Sequence, residues 1–154
     1  MLKVVQVRAG KNLESIRRLF QEYADSLGTD LSFQDFQNEL ENLPGEYVPP
    51  GGRLYLALED SEPVACVAMR KVSDEICEMN RLYVRPLARG KGIGRKLALQ
   101  LIADARRKGY QRLRLDTLPM MRRAIALYQA LGFKPIDPYR HNPVQGARFF
   151  ELTL

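Results

Sequence analysis

The sequence has few of the residues on which metal and triad chemistry depend. It contains one histidine, His141, two cysteines, Cys66 and Cys77, and no tryptophan. Zinc sites and Ser-His-Asp triads need histidine or cysteine in defined groups, and the sequence has no such group, so we expect no metal. Both cysteines lie in apolar, strand-like runs. Two buried free thiols are favoured there, although a disulfide is also compatible with the sequence.

Long hydrophobic runs are also missing. No apolar stretch approaches the ~20 residues that a membrane-spanning helix needs. Residues 1–8 alternate charged and apolar side chains too early for a signal peptide. We therefore expect no membrane partner and a cytoplasmic location.

Basic charge is in excess, and the net charge of +6 suits an anionic ligand. Charge alone does not choose among nucleic acid, a membrane surface and a phosphorylated small molecule. The basic residues are dispersed, and the sequence has no helix-turn-helix or RNA-binding aromatic motif. We expect no nucleic-acid partner, and a nucleic-acid binder is the weakest of the alternatives.

The length of 154 residues and the absence of repeats predict a single domain over residues 1–154. Alternating and helical periodicities predict about seven strands, at 3–8, 53–59, 64–72, 75–84, 112–116, 133–136 and 147–152. They also predict about four helices. The first covers 12–23, with Asn12 as its cap, and the second is short, with Ser32 as its cap and with Phe33, Phe36 and Leu40 on one side. The third covers 92–108, with Gly109 as its C-terminal cap, and the fourth covers 121–131.

Connection lengths predict how these strands pair. Short turns within residues 53–84 predict antiparallel hairpins, whereas the crossover from Val84 through the third helix to Arg112 predicts a parallel pair. The predicted fold class is therefore α/β, with a central mixed, mostly antiparallel sheet and helices on its faces. Residues 44–52, dense in proline and glycine, are predicted to form a loop.

A glycine-rich turn follows the predicted strand that ends at Val84. It reads Arg-Gly-Lys-Gly-Ile-Gly over residues 89–94 and opens a long amphipathic helix. The first turn of a helix leaves backbone N–H groups unpaired, and glycines let a ligand approach the main chain closely. With basic side chains at Arg89, Lys91 and Arg95, the turn is predicted to hold a diphosphate. A Walker loop is excluded because no Gly-Lys-Ser/Thr follows, and the dinucleotide fingerprint lacks its third glycine.

At this point the sequence resembles a known family. Arg89-x-x-Gly92-x-Gly94 is similar to the Arg/Gln-x-x-Gly-x-Gly/Ala signature of the GCN5-related N-acetyltransferases, and residues 81–84 and 124–133 are similar to that family as well. The resemblance covers nearly the whole chain. It implies transfer of an acetyl group from acetyl-coenzyme A to a primary amine of a small molecule or peptide, by direct attack in a ternary complex. It also implies that strand four splays from strand five at a bulge.

The resemblance assigns the donor to two segments. The backbone of Leu82, Tyr83 and Val84 would hydrogen-bond the pantetheine arm, and the phosphates would lie against Arg89, Gly90, Lys91, Gly92, Ile93, Gly94 and Arg95. Tyr128 corresponds to the general acid toward the departing thiolate. Because tyrosine titrates near 10 and a thiol near 8.5, complete proton transfer is uphill by about 2 kcal/mol. A hydrogen bond that strengthens with the developing charge is therefore the better description.

A protonated amine must lose its proton before it attacks, so the reaction needs a base or a water chain. Glu78, six residues before Val84, stands where many family members have a glutamate; a solvated strand residue is the equally simple alternative. Asp116 is a weaker candidate. Strand alternation places Ile76, Glu78, Asn80 and Leu82 on one side of the sheet unless a bulge shifts the phase.

The acceptor region is implied by the family architecture. Its lining would include Tyr23, Tyr47, Tyr139, His141 and Asn142. No covalent enzyme intermediate is required, so both cysteines are interpreted as core residues. A coenzyme A-binding regulatory or interaction module without turnover is the main alternative. A homodimer is also compatible with the resemblance, since dimers are common in similar proteins.

The glycine-rich turn leads to a first prediction. Arg89→Ala and Gly92→Asp should each weaken coenzyme A binding at least about ten-fold, because one removes a cation and the other adds a carboxylate beside the phosphates. Isothermal titration calorimetry measures the affinity, and Arg106→Ala, at the far end of the same predicted helix, is the control. Unchanged affinity in both variants would contradict the predicted diphosphate site.

Overall fold

The computed structural model describes residues 1–28 and 35–154. Its strands are β1 (Leu2–Gln6), β2 (Arg53–Glu59), β3 (Glu62–Lys71), β4 (Ile76–Val84), β5 (Arg112–Thr117), β6 (Lys134–Ile136) and β7 (Arg148–Thr153). Its helices are α1 (Gly10–Leu27), α2 (Phe36–Glu41), α3 (Ile93–Lys108) and α4 (Arg122–Ala130). The predicted cap Ser32 and Phe33 lie outside the described residues.

The strands form one mixed sheet in the order β1-β2-β3-β4-β5-β7-β6. Every neighbouring pair is antiparallel except β4 and β5, which run parallel. The predicted fold class is therefore confirmed. The crossover through α3 joins the parallel strands, as the connection length predicted.

Each face of the sheet is covered by its own apolar cluster. On one face, α1 and α2 pack with Ile16, Leu19 and Phe20 as central residues. On the other, α3 and α4 pack against strands β2 to β5 and β7 through side chains such as Leu97 and Leu101. Within the described residues, no helix has the length and apolar character that crossing a membrane requires.

The two cysteines lie in opposite clusters, Cys66 with α1 and Cys77 with α3, and both are buried free thiols. The prediction of two free thiols is confirmed. Burial raises the pKa of the Cys66 thiol well above its ordinary value and raises the pKa of Cys77 to about 12. Neither thiol is a thiolate near neutral pH, which agrees with their interpretation as core residues.

Helix α1 begins earlier and ends later than predicted. The chain enters it through extended Ala9 and through Gly10 at φ 74°, and Ala9 makes no side-chain capping bond. The prediction that Asn12 caps this helix is wrong, because Asn12 lies inside the first turn. The helix continues to Leu27, where Gly28 in the left-handed conformation ends it. Gly109 ends α3 in the same way, at φ 97°, as predicted.

A bulge in β4 changes which side chains share a face. Cys66 pairs with Tyr83 and Ala68 with Asn80, so one residue of β3 stands opposite two residues of β4. Arg81 takes up the extra length at φ 60°. As a result Leu82 packs in the cluster that contains Cys77, on the opposite side from Glu78, which is the change of phase expected of a bulge.

The packing of α3 leads to a second prediction. Leu101→Ala should lower the free energy of unfolding by about 2–5 kcal/mol, because Leu101 is fully buried and the substitution leaves a cavity. Leu99→Ala, on the exposed side of the same helix, is the matched control and should change it by less than about 0.5 kcal/mol. Urea denaturation measures both. An equal loss of unfolding free energy in Leu101→Ala and Leu99→Ala would contradict the packing of α3 through the face that contains Leu101.

Candidate active site

The parallel strands β4 and β5 separate shortly after they meet. They pair only over Ile76–Glu78 and Arg112–Arg114, and β5 then continues beside β7 alone. A gap opens between residues 79–82 of β4 and Asp116–Thr117 of β5. The splay implied by the resemblance is therefore present. It leaves the β4 main chain beyond Glu78 without a strand partner on that side, within the described part of the chain.

The glycine-rich turn lies at the end of β4 and opens α3. Gly90 and Gly92 have φ values of 82° and 78°, and no neighbouring atom lies within 4 Å of where a Cβ would stand on either. Gly92 is the residue before the first helical turn and makes no side-chain capping bond, and the first amides of a helix have no partner within the helix. These are the features of an anion cradle, and the residues fit a diphosphate.

Three basic side chains surround the cradle, and two of them have internal partners. Arg89 Nε donates to the Val84 carbonyl at 2.9 Å, which is one of the main-chain groups predicted to bind pantetheine. Lys91 Nζ lies 3.3 Å from the Glu59 carboxylate. Arg95 is exposed. A Cβ at Gly94 would make ordinary van der Waals contact with the Val84 side chain, at 3.5 Å, so packing does not by itself require glycine there.

Tyr128 projects from α4 into the gap between β4 and β5. Its ring packs against Phe133 and Phe150, with centroids 5.7 and 6.4 Å away. Within residues 1–28 and 35–154 no hydrogen bond engages its hydroxyl, which is thus available to a ligand in the gap. Burial raises the pKa of Tyr128 far above its ordinary value. The hydroxyl therefore remains protonated and acts as a donor.

Glu78 lies beneath the site rather than in its lining. Its side chain is 0% exposed. Its Oε1 accepts from Arg70 Nε at 2.9 Å, and its Oε2 accepts from the Tyr139 hydroxyl at 2.7 Å. Because the side chain is fully buried, an acceptor cannot contact Glu78 in this arrangement. Its predicted role as base stays a prediction.

Asp116 stands closer to Tyr128, because both line the gap. Its carboxylate is nevertheless occupied as well. Arg140 donates to it from Nη2 at 2.5 Å and from Nε at 3.3 Å, and Asn142 Nδ2 donates at 3.2 Å. Sequence reasoning missed Arg140, since a single arginine in a loop has no periodic or motif signal.

A second cleft, with a volume of about 310 Å³, adjoins the gap. The two are adjacent, since Asn80 and Arg81 line both of them. Of the predicted acceptor residues, Tyr23 and Asn142 line the gap, and Tyr47 and His141 line the second cleft. Tyr139 lies behind the lining, on Glu78. The second cleft also contains Arg70, Arg140 and the carboxylates of Asp35, Glu39 and Glu46.

Metal ligands do not cluster in the part of the chain that the structure describes: it contains no group of three His, Cys, Asp or Glu side chains that could hold an ion. The site instead combines a splayed parallel strand pair, an anion cradle at a helix N-terminus and a buried tyrosine at the gap. Together these features define a coenzyme A-dependent acyltransferase.

Comparison with known proteins identifies the family. The model of the acetyltransferase (GNAT) family matches residues 13–133, and the chain belongs to this family. An uncharacterized N-acetyltransferase of Schizosaccharomyces pombe is 35% identical over 99% of this chain and 95% of its own length. The activity is accordingly acetyl transfer from acetyl-coenzyme A to an amine, and the chain is an N-acetyltransferase.

Solved structures share the fold over its whole length. An acetyltransferase from Streptococcus agalactiae has a TM-score of 0.83 at 22% identity, with 99% of this chain and 98% of that chain covered. The PaiA N-acetyltransferase of Thermoplasma acidophilum, solved with coenzyme A, has a TM-score of 0.79 at 18% identity, with 100% and 99% covered.

The environment of Tyr128 leads to a third prediction. Tyr128→Phe should lower kcat about 100-fold while coenzyme A affinity stays nearly intact, because only the hydrogen-bond donor to the leaving thiolate is lost. Since the pKa of Tyr128 is raised, the wild-type rate should show no alkaline loss due to this group up to about pH 10.

Steady-state kinetics across pH and calorimetry measure both effects. Tyr110→Phe is the matched control, because Tyr110 is a buried tyrosine that lines neither cleft and donates to the Gly51 carbonyl. An unchanged kcat in Tyr128→Phe would remove Tyr128 from the mechanism.

Proposed function

We propose that the acceptor is a primary amine of a small molecule or peptide, and that it attacks acetyl-coenzyme A directly in a ternary complex. The observation that supports this most is that the two clefts are adjacent and share Asn80 and Arg81. An acceptor bound in the second cleft would lie beside the gap that Tyr128 lines. No cysteine is available for a covalent step, since both are buried.

For the donor, we propose that the amides at the start of α3 hold the diphosphate. Arg89, Lys91 and Arg95 would add charge, with Lys91 exchanging Glu59 for a phosphate. The main chain of Leu82, Tyr83 and Val84 would hold the pantetheine arm. Arg89 would then release the Val84 carbonyl that it now binds. This binding mode rests on the open cradle at Gly90 and Gly92.

In the reaction, the amine nitrogen bonds to the thioester carbonyl carbon and the carbon–sulfur bond breaks. The Tyr128 hydroxyl donates a hydrogen bond to the leaving thiolate, which is finally protonated to the thiol. Its raised pKa makes complete proton transfer from Tyr128 less favourable than for an ordinary tyrosine. Much of the rate enhancement comes from holding the amine and the thioester in attack geometry.

The amine proton must leave before attack, and we propose that water in the cleft accepts it. Glu78 is buried between Arg70 and Tyr139, so it would receive a proton only by relay through the Tyr139 hydroxyl. Burial, and next the charge of Glu78, raise the pKa of Tyr139, which keeps that hydroxyl protonated. The water path and the Glu78 relay differ in how strongly kcat depends on the Glu78 carboxylate.

Glu78→Gln separates the two paths and is the fourth prediction. If water accepts the amine proton, kcat of the variant should stay within about ten-fold of wild type, because no general base is lost. If Glu78 is the base, kcat should fall by about 10²–10⁴. Initial rates from pH 5 to 9 measure this.

An acceptor screen tests the function as a whole. Acetyl-coenzyme A is supplied with a panel of L-amino acids, polyamines and short peptides with free N-termini, and release of the coenzyme A thiol is followed. Calorimetry measures acetyl-coenzyme A binding in parallel. We expect turnover with at least one amine, abolished or strongly reduced by Tyr128→Phe. Tight donor binding without turnover on any amine would instead favour a binding module.

A further inference from the structure

Two carboxylates stand close together at the point where β4 and β5 separate. Glu78 is the last residue of β4 that pairs with β5, and its partner there is Arg114. Asp116 lies two residues further along β5, on the opposite side of the gap. The Glu78 side chain is 0% exposed and the Asp116 side chain 6% exposed. Two such buried charges are costly unless a cation compensates them.

One guanidinium bridges both carboxylates. Arg140 Nη1 lies 3.4 Å from Glu78 Oε1, while Nη2 and Nε donate to the two oxygens of Asp116. Arg140 comes from the long connection between β6 and β7. It therefore links the two splayed strands to each other and to this connection.

The neighbours of Arg140 bind the same two acids. Tyr139 donates to Glu78, its ring packs edge-on against Phe149 at 5.2 Å, and Asn142 donates to Asp116. Asn142 Oδ1 also accepts the Val144 amide at 3.0 Å. Three residues of the β6–β7 connection are thus anchored on β4 and β5 through one buried ionic network.

This anchored segment forms part of both clefts. Asn142 lines the gap that contains Tyr128, and Arg140 and His141 line the second cleft. A shift of the segment would move the walls of both clefts, whereas no hydrogen bond or ion pair of the described residues joins the glycine-rich turn to the network.

We infer that Arg140 is a positioning residue for the acceptor: by bridging Glu78 and Asp116 it fixes the β6–β7 connection over the splayed strands. This inference rests on the proposed acceptor path. The residue acts through the network and takes no part in bond making. Lysine at this position keeps the charge but lacks the planar fork that serves two carboxylates at once.

The test compares Arg140→Met and Arg140→Lys with wild type, using the panel amine that the wild-type protein acetylates fastest. We expect kcat/KM for this amine to fall about 10- to 100-fold in Arg140→Met, since misplacement by about 1 Å can cost this much. Arg140→Lys should show a smaller loss. Acetyl-coenzyme A affinity should change less than about two-fold, because the cradle is separate from the network.

Arg53→Met is the matched control. Arg53 is another partly buried arginine, 3.8 Å from the buried Asp104, and neither residue lines a cleft. It should lower the melting temperature and leave acceptor kinetics unchanged. Hydrogen–deuterium exchange of residues 137–147, a readout that needs no acceptor, should be faster in Arg140→Met and unchanged in Arg53→Met.

A kcat/KM within two-fold of wild type in Arg140→Met would overturn the inference, as would an equal loss in coenzyme A affinity. If Arg140→Met does not fold, Arg140→Lys decides: full activity toward the amine with an unchanged exchange rate would overturn it. Absence of turnover in the wild-type protein would instead contradict the proposed function. In that case the exchange rate of residues 137–147 still shows whether Arg140 anchors the segment.

Discussion

The bulge at Arg81 is the constraint on which the rest of the site depends. A non-glycine residue in the left-handed region costs about 1–2 kcal/mol, so the conformation persists only where other contacts hold it. Two hydrogen bonds of 3.1 Å from the Arg81 guanidinium to Glu39 supply such contacts, together with stacking on Phe36 at 5.1 Å. The side chain thus connects the bulge to α2. The bulge also turns Leu82 and Val84 toward the cluster under α3.

The chain has an excess of positive charge, but inside the site the arginine side chains are paired with carboxylates. Arg70, Arg81 and Arg140 each face a buried or half-buried carboxylate. The buried acids are therefore compensated internally rather than by a ligand. At the turn before α3, by contrast, the first helical turn contains no acidic residue. The main-chain amides there add to the positive charge. An anionic donor is therefore best accommodated at this turn.

The fold was largely predictable because each element has a local signal. Helical periodicity and Gly109 located α3, and the spacing of the strands located the hairpins and the parallel pair. The start of α1 was not predictable in this way. Its N-cap residue, Ala9, has no side chain that could form a capping bond, and Asn12, a residue type typical of N-caps, lies inside the helix. The placement of Leu82 depended on the exact position of the bulge, which strand pairing reveals and the sequence does not.

The site was predictable where a contiguous motif exists and not elsewhere. The glycine-rich turn and the Tyr128 region are contiguous, and the structure positions them at the end of β4 and at the gap. In the network, Arg140 lies 24 positions along the chain from Asp116 and 62 positions from Glu78. No local sequence pattern encodes a contact over such separations. Long-range ion pairs of this kind depend on topology, and the burial of Glu78 was therefore unforeseen.

The burial of the two cysteines affects how this enzyme can be assayed, because one of its products is a thiol. Both side chains are completely inaccessible to solvent, and the pKa of each is raised by burial. Disulfide exchange with a chromogenic reagent requires an accessible thiolate. The thiols of the folded protein therefore do not react with such a reagent. Colour that develops during turnover measures free coenzyme A and contains no contribution from the enzyme's own cysteines.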